Sequence, residues 1–524
     1  MKKILTILLI FVTFSVNSQQ IISNDTIWQQ DTLFVENDIL VEEGACLSIM
    51  PGKNIIFNNY SGIQIKGSLK AIGSQSDTIY FMVSDTTGFS DTASVSGAWK
   101  GIYFTENNSD TSYLQYCSFS NGKSNSTKNF ELNDETANKG GAIIIDNYDN
   151  IKIGNCTIKN NYASFKGGGI YILGSDNTCV DSCIFRNNFT YYNGGGIYIQ
   201  NSMAIINSNI FNYNTALNID TIGGYIWYVG TGSAIYSSFC NYGNPIISNN
   251  KINGSIGVSG CIYDNNIYAE IYNNIIVNNQ DVGYFNGHGG SHTHFINNLV
   301  SNNSVYYSFY SGVGFFSADL IFRNNIIWGN EAGVWGDPEQ IYDFEDEITV
   351  EYSCVQYGFT GEGNISSNPQ FTNPPEGAGI EYDGLSADWT LLETSPCINT
   401  GTPDTTGLNL PEFDIAGNQR VFGGRIDMGA YENQSVYVKI NDSQVYSKIK
   451  LYTNPGTDKI YIDIPPEINC SWIDIVDGQG RVLMHEKITV TPSVLFPYKL
   501  NSGIYFYRIY SDNQVVKSGK WIKR

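Results

Sequence analysis

Every 27 residues the chain repeats one block: Lys139-Gly140-Gly141-Ala142-Ile143-Ile144-Ile145, then Lys166-Gly167-Gly168-Gly169-Ile170-Tyr171-Ile172, then Asn193-Gly194-Gly195-Gly196-Ile197-Tyr198-Ile199. Each copy joins glycines to a short alternating apolar run, which is typical of β-strands between turns. Apolar residues do not recur at 3.6-residue spacing over a helical length. A unit this short cannot bury a face alone, so we expect successive units to stack.

A second motif recurs with the same period as the glycine blocks. It places a small residue, Asn or Cys, at one position of each unit, and consecutive copies are mostly 24 to 29 residues apart. The longer step from Asn209 to Asn250, 41 residues, is interpreted as containing a loop. Stacked amides can hydrogen-bond along a column, and a free thiol fits the same narrow slot. The predicted ladder contains Cys117, Cys156, Cys183, Asn209, Asn250, Asn274, Asn298, Asn325 and Cys354.

These patterns predict an all-β chain whose body is a right-handed parallel β-helix, each coil advancing by about 4.8 Å. Composition agrees, because 53 residues are glycine and only 15% are charged. The net charge of −21 excludes nucleic acid as a partner, since that function needs concentrated Lys and Arg.

The N-terminus reads as a secretory signal peptide. Met1-Lys2-Lys3 precedes an apolar run that is shorter than a membrane span, and cleavage is expected after Ser18. We expect no transmembrane segment after that cleavage.

Residues 35 to 433 resemble the secreted right-handed parallel β-helix repeat proteins, the pectate-lyase-like superfamily. The first coil resembles theirs at Val41 to Gly52. The end resembles their closing segment at Asp388-Trp389-Thr390-Leu391, at Ser395-Pro396-Cys397-Ile398-Asn399, and at Asp427-Met428-Gly429-Ala430. We expect this segment to cap the helix, because an uncovered last coil would present unpaired strand edges.

Beyond a polar stretch the composition changes to alternating strands with Lys and Arg. Tyr452-Thr453-Asn454-Pro455-Gly456, Leu500-Asn501-Ser502-Gly503-Ile504-Tyr505 and the basic terminus at Lys517 to Arg524 resemble the C-terminal sorting domain of type IX secretion cargo in Bacteroidetes. The resemblance implies a small β-sandwich, the type IX machinery as partner, and a secreted or outer-surface location. The predicted division is a signal peptide at 1–18, the β-helix at 19–375, its capping segment at 376–433, a linker at 434–447 and the sorting domain at 448–524.

Three of the four histidines lie together at His288, His292 and His294, where chemistry is first sought. In a strand His292 and His294 would share a face, a spacing that permits a metal ion. Gly287-His288-Gly289 is similar to a polygalacturonase tripeptide, but the upstream stretch offers only the isolated Asp264 and Glu270. Surface histidines, a ligand site and a catalytic site therefore stay open.

Two further clusters are candidates. Asp343, Glu345, Asp346 and Glu347 belong to an acidic loop that is either solvated or binds Ca²⁺ through hard oxygen ligands. Tyr225, Trp227 and Tyr228 could stack on sugar rings or fill the coil interior. No cofactor is certain, with Ca²⁺ as the candidate.

The sequence therefore predicts an exported β-helix protein with a glycan-binding, adhesive or structural role. A polysaccharide lyase or glycoside hydrolase acting on an extracellular polysaccharide is the alternative. A lyase needs cationic groups, and from Asn187 to Phe322 the only basic side chain besides histidine is Lys251.

Overall fold

The computed structural model describes residues 19–106, 110–125, 138–222, 225–239, 244–266, 268–287, 291–305, 312–316, 320–333, 339–344, 348–435, 448–453, 459–465, 472–488, 493–511 and 514–523, with only the backbone at 219–222, 225–228, 453, 511 and 514. The chain divides into two compact units, residues 1–433 and 434–524. Regular structure in both is formed by β-strands, which confirms the predicted all-β class.

Three parallel sheets of 12 strands each build the first unit. Successive strands along the chain visit the first, second and third sheet in turn, so each set of three forms one coil, and we number the coils 1 to 12 within the described residues. This winding confirms the right-handed parallel β-helix.

The first sheet consists of Gln20–Ile22, Ile39–Val41, Ile63–Ile65, Ile102–Thr105, Ile143–Asp146, Ile170–Leu173, Ile197–Gln200, Ile235–Ser238, Ile262–Asn265, Tyr284–Asn286, Val313–Phe315 and Ile341–Asp343. The second consists of Thr26–Trp28, Cys46–Ile49, Ser68–Ile72, Ser112–Gln115, Ile151–Gly154, Cys179–Asp181, Ile205–Asn207, Ile246–Ser248, Glu270–Tyr272, His294–Ile296, Ile321–Arg323 and Val350–Glu351. The third consists of Thr32–Val35, Asn54–Phe57, Ile79–Val83, Cys117–Ser120, Thr157–Lys159, Ile184–Arg186, Ile210–Asn212, Lys251–Asn253, Ile275–Val277, Leu299–Ser301, Ile326–Trp328 and Cys354–Val355.

Two smaller sheets accompany the coils. Lys123–Ser124, Tyr162–Ala163, Phe189–Thr190 and Thr215–Ala216 form a short parallel sheet, and Asn218–Ile222 pairs with Tyr225–Val229 in an antiparallel hairpin. Phe371–Asn373 pairs with Asp388–Leu391 after the last coil.

The glycine blocks are required by the close approach of neighbouring coils. Gly167 has a φ of +67°, which favours glycine, and it begins the turn into the first sheet. A Cβ on Gly168 would lie 2.4 Å from the carbonyl oxygen of Gly195 in the next coil. A side chain at this position would therefore push the coils apart.

The core lies inside the coils, where strand alternation directs one set of side chains. Ile143, Ile170 and Ile197 occupy equivalent positions of the first sheet and are fully buried. Phe185 and Phe211 stack in the third sheet with ring centroids 4.7 Å apart. Each coil therefore covers the apolar surface of the coil before it.

The segment at 376–433 contacts the outer face of the third sheet. Ile275, Leu299 and Ile326 point outward from coils 9 to 11, yet they are buried in one apolar cluster with Trp389 and Met428 of the segment. The segment therefore runs along the side of these coils. The described residues that adjoin the last strand edge are instead those near Ile365, whose carbonyl accepts from Val355 N at 2.9 Å.

A buried arginine organises the segment. Arg420 is 2% exposed and donates to Glu432 Oε2 at 3.2 Å, to Asn273 Oδ1 at 3.3 Å, and to the backbone carbonyl of Gly429 at 3.1 Å. Burial raises the pKa of Glu432, and the negative charge of Asp427 acts in the same direction. One guanidinium thus links the closing segment to coil 9.

The second unit contains two antiparallel sheets around a core of their own. Lys450–Thr453, Ile460–Asp463 and Ser493–Leu495 form one sheet. Trp472–Val476, Val482–Lys487, Gly503–Ser511 and Gln514–Lys523 form the other. Ile462, Ile473, Ile509 and Trp521 are buried together in that core.

Candidate functional site

Two of the three clustered histidines lie on the outside of coil 10, beside coil 9. His292 is exposed and stacks on Tyr268, with ring centroids 5.3 Å apart and ring planes inclined by 24°. His294 Nδ1 lies 3.0 Å from Glu270 Oε2. These four residues, Tyr268, Glu270, His292 and His294, form what we call the corner site, because they border the turn between the first and second sheets. His288 lies outside the described residues.

Strand register explains why these residues meet. Glu270 and His294 are register partners in adjacent parallel strands of the second sheet. Their side chains point outward because Ile271 and Phe295, which follow them, are buried in the core. Glu270 looks isolated in the sequence, but in the structure it lies against His294.

A buried polar network supports the turn from inside. Ile199 in coil 7, Ser237 in coil 8 and Asp264 in coil 9 are aligned in strand register on the inner face of the first sheet. Asp264 therefore stands where an earlier coil has an apolar side chain. It is fully buried and accepts hydrogen bonds from Thr293 Oγ1 at 2.8 Å and Asn286 Nδ2 at 3.1 Å. Burial raises the pKa of Asp264. Because Asp264 is enclosed, its carboxylate positions the turn and has no contact with solvent.

The chemistry available at the corner site suits binding better than hydrolysis. Glycoside hydrolysis uses two carboxyl groups that flank the scissile bond, separated by about 5–10 Å with access to the sugar. Glu270 is the carboxylate of the corner site, and Asp264 beneath it is enclosed. Among the described residues no group of three His, Cys, Asp or Glu is arranged to hold a metal ion. What remains is an exposed ring pair beside a hydrogen-bonded pair, the buried Glu270 and the half-buried His294.

Other aromatic residues form a long row on the outer face of the first sheet. Tyr171, Tyr198, Tyr236 and Tyr263 stack in successive coils with ring centroids about 5 Å apart, as in the pair Tyr198–Tyr236 at 4.9 Å. Tyr171 and Tyr198 are each only 2% exposed. Tyr268, by contrast, is 47% exposed. The buried row therefore stabilises the stack and offers little surface to a ligand.

The other sequence candidates fall partly outside the described residues. Tyr225, Trp227 and Tyr228 lie on the second strand of the hairpin, whose side chains at these positions are not described. Asp343 is half-buried, and its Oδ2 accepts from Ile348 N at 2.8 Å across its own loop. The remaining acids of that loop, Glu345, Asp346 and Glu347, lie outside the described residues. Calcium binding there stays a prediction.

The structure stacks the predicted ladder residues in one column, with one correction. Backbone N–H groups donate along the column from Cys117 to Cys156 Sγ, Cys156 to Cys183 Sγ, Cys183 to Asn209 Oδ1, Asn209 to Asn250 Oδ1, Asn250 to Asn274 Oδ1, Asn274 to Asn298 Oδ1, and Asn298 to Asn325 Oδ1. Asn325 N donates to Ser353 Oγ and Ser353 N donates to Asn364 Oδ1, so Ser353 and not Cys354 follows Asn325 in the column. Cys354 pairs with Ile326 in strand register, one residue later.

A second amide column escaped the sequence analysis. It follows the third sheet in two hydrogen-bonded runs, the first through Asn161, Asn188 and Asn214, the second through Ser255, Asn279, Asn303, Asn330 and Gln340. Its signal was the second member of the block Asn160-Asn161 and of its later copies. The first asparagine of such pairs has a left-handed backbone conformation, as in Asn278, where φ is +52° and Nδ2 donates to the carbonyl of Gly377 at 2.9 Å.

A pocket lies at the N-terminal end of the helix. Its volume is about 270 Å³, and its lining includes Glu36, Asp38, Tyr60 and Lys100. Lys100 Nζ forms an ion pair with Asp38, and Asn58 Nδ2 donates to Glu36 Oε1 at 2.8 Å. Burial, followed by the charge of Asp38, raises the pKa of Tyr60. No sequence motif pointed to this combination of two acids with a lysine.

Comparison with known proteins bears on the second unit. Residues 450–524 match the family described as the secretion system C-terminal sorting domain. No curated protein matches the chain. No described helix has the length and apolar character needed to cross a membrane.

Fold and match together define the class: this is an exported protein whose body is a right-handed parallel β-helix. The domain at its C-terminus is a type IX secretion sorting domain, as the sequence analysis predicted. Such a domain engages the type IX secretion machinery, and the protein is secreted or attached to the outer cell surface.

Proposed function

We propose that this protein binds an extracellular glycan at the corner site. The observation that carries the proposal is the exposed ring pair formed by Tyr268 and His292 beside Glu270 and His294. Flat rings stack on the apolar faces of sugars, while a fixed carboxylate and imidazole accept or donate hydrogen bonds at the sugar hydroxyls. The extracellular location brings the site into contact with such polymers.

The outer face of the second sheet extends the surface from coil 9 toward coils 8 and 7. Tyr272 lies in the strand of Glu270, and Ser248 and Asn207 occupy its register positions in coils 8 and 7. Ser248 Oγ donates to Asn207 Oδ1 at 2.9 Å, which fixes the amide. These polar groups recur at the spacing between strands, so a linear polymer could contact several coils at once.

The test uses residues 19–524 and a panel of soluble extracellular polysaccharides in a binding assay such as biolayer interferometry. Tyr268→Ala and His292→Ala should each weaken binding by roughly tenfold, the value of losing a stacking contact of about 1–1.5 kcal/mol. Tyr113→Ala is the matched control, because Tyr113 is an outward tyrosine of the same sheet in coil 4. Binding that persists equally in all three variants would contradict the corner site.

A polysaccharide lyase or hydrolase is the second candidate, and the pocket that contains Glu36, Asp38 and Lys100 favours it. Acids and a cation in one hollow are the groups that proton abstraction beside a carboxylate requires. The same polysaccharides are incubated with the protein and assayed for unsaturated products and new reducing ends. Turnover that is lost in Asp38→Asn and kept in His292→Ala would assign catalysis to the pocket.

A further inference from the structure

Two buried cysteines meet where the closing segment joins the last coil. Cys354 begins the third-sheet strand of coil 12, and Cys397 belongs to the segment that covers that sheet. Both are fully buried in the same apolar cluster, and the Cys354 thiol, followed by burial, raises the pKa of the Cys397 thiol. Neither is bonded to another cysteine in the structure described here.

The surrounding contacts fix both cysteines in place. Cys354 Sγ donates to the carbonyl of Ser367 at 3.3 Å. Ser395 Oγ donates to the carbonyl of Pro369 at 2.6 Å, and Cys397 N donates to Ser395 Oγ at 3.2 Å. Ser367 and Pro369 are two residues apart, so one short stretch of chain contacts Cys354 directly and Cys397 through Ser395.

We propose that Cys354 and Cys397 form a disulfide bond in the exported protein, which fastens the closing segment to coil 12. The export route leads to an oxidising exterior, where such bonds persist. In the reaction the two thiols lose two protons and two electrons, one S–S bond forms, and a disulfide oxidant of the thiol-exchange class is reduced to its dithiol. Because both sulfurs are enclosed after folding, the exchange precedes the final docking of the segment.

The other neighbouring thiols are expected to stay reduced. Cys117 N and Cys156 N each donate to the thiol of the next coil, and Cys183 N donates to Asn209 Oδ1. The sulfurs of Cys156 and Cys183 therefore act as hydrogen-bond acceptors within the column. A disulfide between two of the column cysteines would remove their sulfurs from these hydrogen bonds. They serve as an internal control in the same molecule.

The test maps the thiols of the full chain recovered after export. The protein is alkylated with N-ethylmaleimide while folded, unfolded in the presence of a second, isotopically distinct maleimide, digested without reductant and analysed by mass spectrometry. We expect one cross-linked peptide pair that contains Cys354 and Cys397 and is lighter than the two free peptides by two hydrogen masses. Cys117, Cys156 and Cys183 should carry only the second label. Recovery of Cys354 and Cys397 as maleimide adducts, or either one paired elsewhere, would overturn the proposal.

A variant separates cross-linking from packing. In Cys397→Ser the thiol of Cys354 should take the second label, and protease cleavage within 376–433 should no longer respond to added reductant. The wild-type protein should be cleaved there several times faster after reduction in mild denaturant. An equal response of the two proteins to reductant would contradict a bond between these residues.

Discussion

Asn298 offers the sharpest test of the ladder, because its side chain is bonded on both sides and fully buried. Its Oδ1 accepts from Asn274 N at 2.9 Å and from Asn274 Nδ2 at 3.0 Å. Its Nδ2 donates to the carbonyls of Ile271 at 3.0 Å and Ile296 at 3.2 Å. Asn298→Ala removes these bonds together.

The cost follows from the groups left behind. The backbone N–H of Asn274 loses its acceptor, the Asn274 amide loses one of its own, and the Ile271 carbonyl loses a donor. Each unsatisfied buried group costs about 1–3 kcal/mol, partly offset where the neighbours relax. We therefore expect Asn298→Ala to lower the free energy of unfolding by about 3–5 kcal/mol.

Asn298→Cys is the informative companion variant. The same slot holds Cys183, whose Sγ accepts from Cys156 N at 3.4 Å. A thiol at 298 should recover one acceptor for Asn274 N, so the expected loss is about 1–2 kcal/mol smaller than for alanine. Asn24→Ala, at an exposed position of coil 1, is the control and should change the free energy of unfolding by less than about 0.5 kcal/mol.

Urea denaturation of residues 19–524, followed by far-ultraviolet circular dichroism, measures the differences. Hydrogen exchange read by mass spectrometry then locates them, with faster exchange expected in coils 9 to 11 and none added in coils 2 and 3. An alanine variant within about 1 kcal/mol of wild type, or a cysteine variant as unstable as alanine, would refute the ladder energetics.

Three other perturbations probe different parts of the molecule. Burial raises the pKa of Asp281 to about 7 from an ordinary 3.8. The stability contributed by the protonated carboxyl is therefore full below pH 4 and is lost as the pH rises through 7. In the wild type the free energy of unfolding should fall by up to about 4 kcal/mol between pH 4 and 8, and Asp281→Asn should remove this fall, as measured from urea midpoints at each pH. Arg420→Met should leave its buried carboxylates without their cation and destabilise the closing segment by about 3–5 kcal/mol, seen as faster limited proteolysis at 376–433 while the coils stay protected. Gly195→Ala would place a Cβ 2.2 Å from the carbonyl oxygen of Ser233, so we expect it to lower the free energy of unfolding by about 2–3 kcal/mol and to lower the melting temperature. The control Lys159→Ala changes an exposed strand position and should melt at the wild-type temperature.

Much of the coil could be predicted because the physics that fixes it is local. Glycine is needed wherever neighbouring backbones approach too closely for a Cβ, and such positions recur once per coil, so the period is visible in the sequence. The ladder followed for the same reason. Its last member was placed one residue late, because Ser353-Cys354 looks like Ser182-Cys183, while the strand register aligns Ser353 with Cys183's column.

The contacts of the corner site could have been predicted from the repeat period. From Glu270 to His294 is 24 residues, the same step that separates Asn274 from Asn298, and Tyr268 and His292 differ by that step as well. Applied to every position, the repeat would have brought these pairs together. The inward turn of Asp264 could not be predicted in this way, because a carboxylate in an apolar column is tolerated only where Thr293, Asn286 and Asn266 supply donors.

The closing segment reaches far back along the chain, and this sets an order of events. Arg420 contacts Asn273, 147 residues earlier, and Asn297 donates to the carbonyl of Asp427, 130 residues later. As the chain folds from its N-terminal end, successive coils can stack on one another. The apolar strip formed by Ile275, Leu299 and Ile326 stays exposed to solvent until the closing segment docks on it. A chain truncated before residue 376 would therefore complete its coils with this apolar flank exposed to solvent, and we expect it to self-associate along that flank.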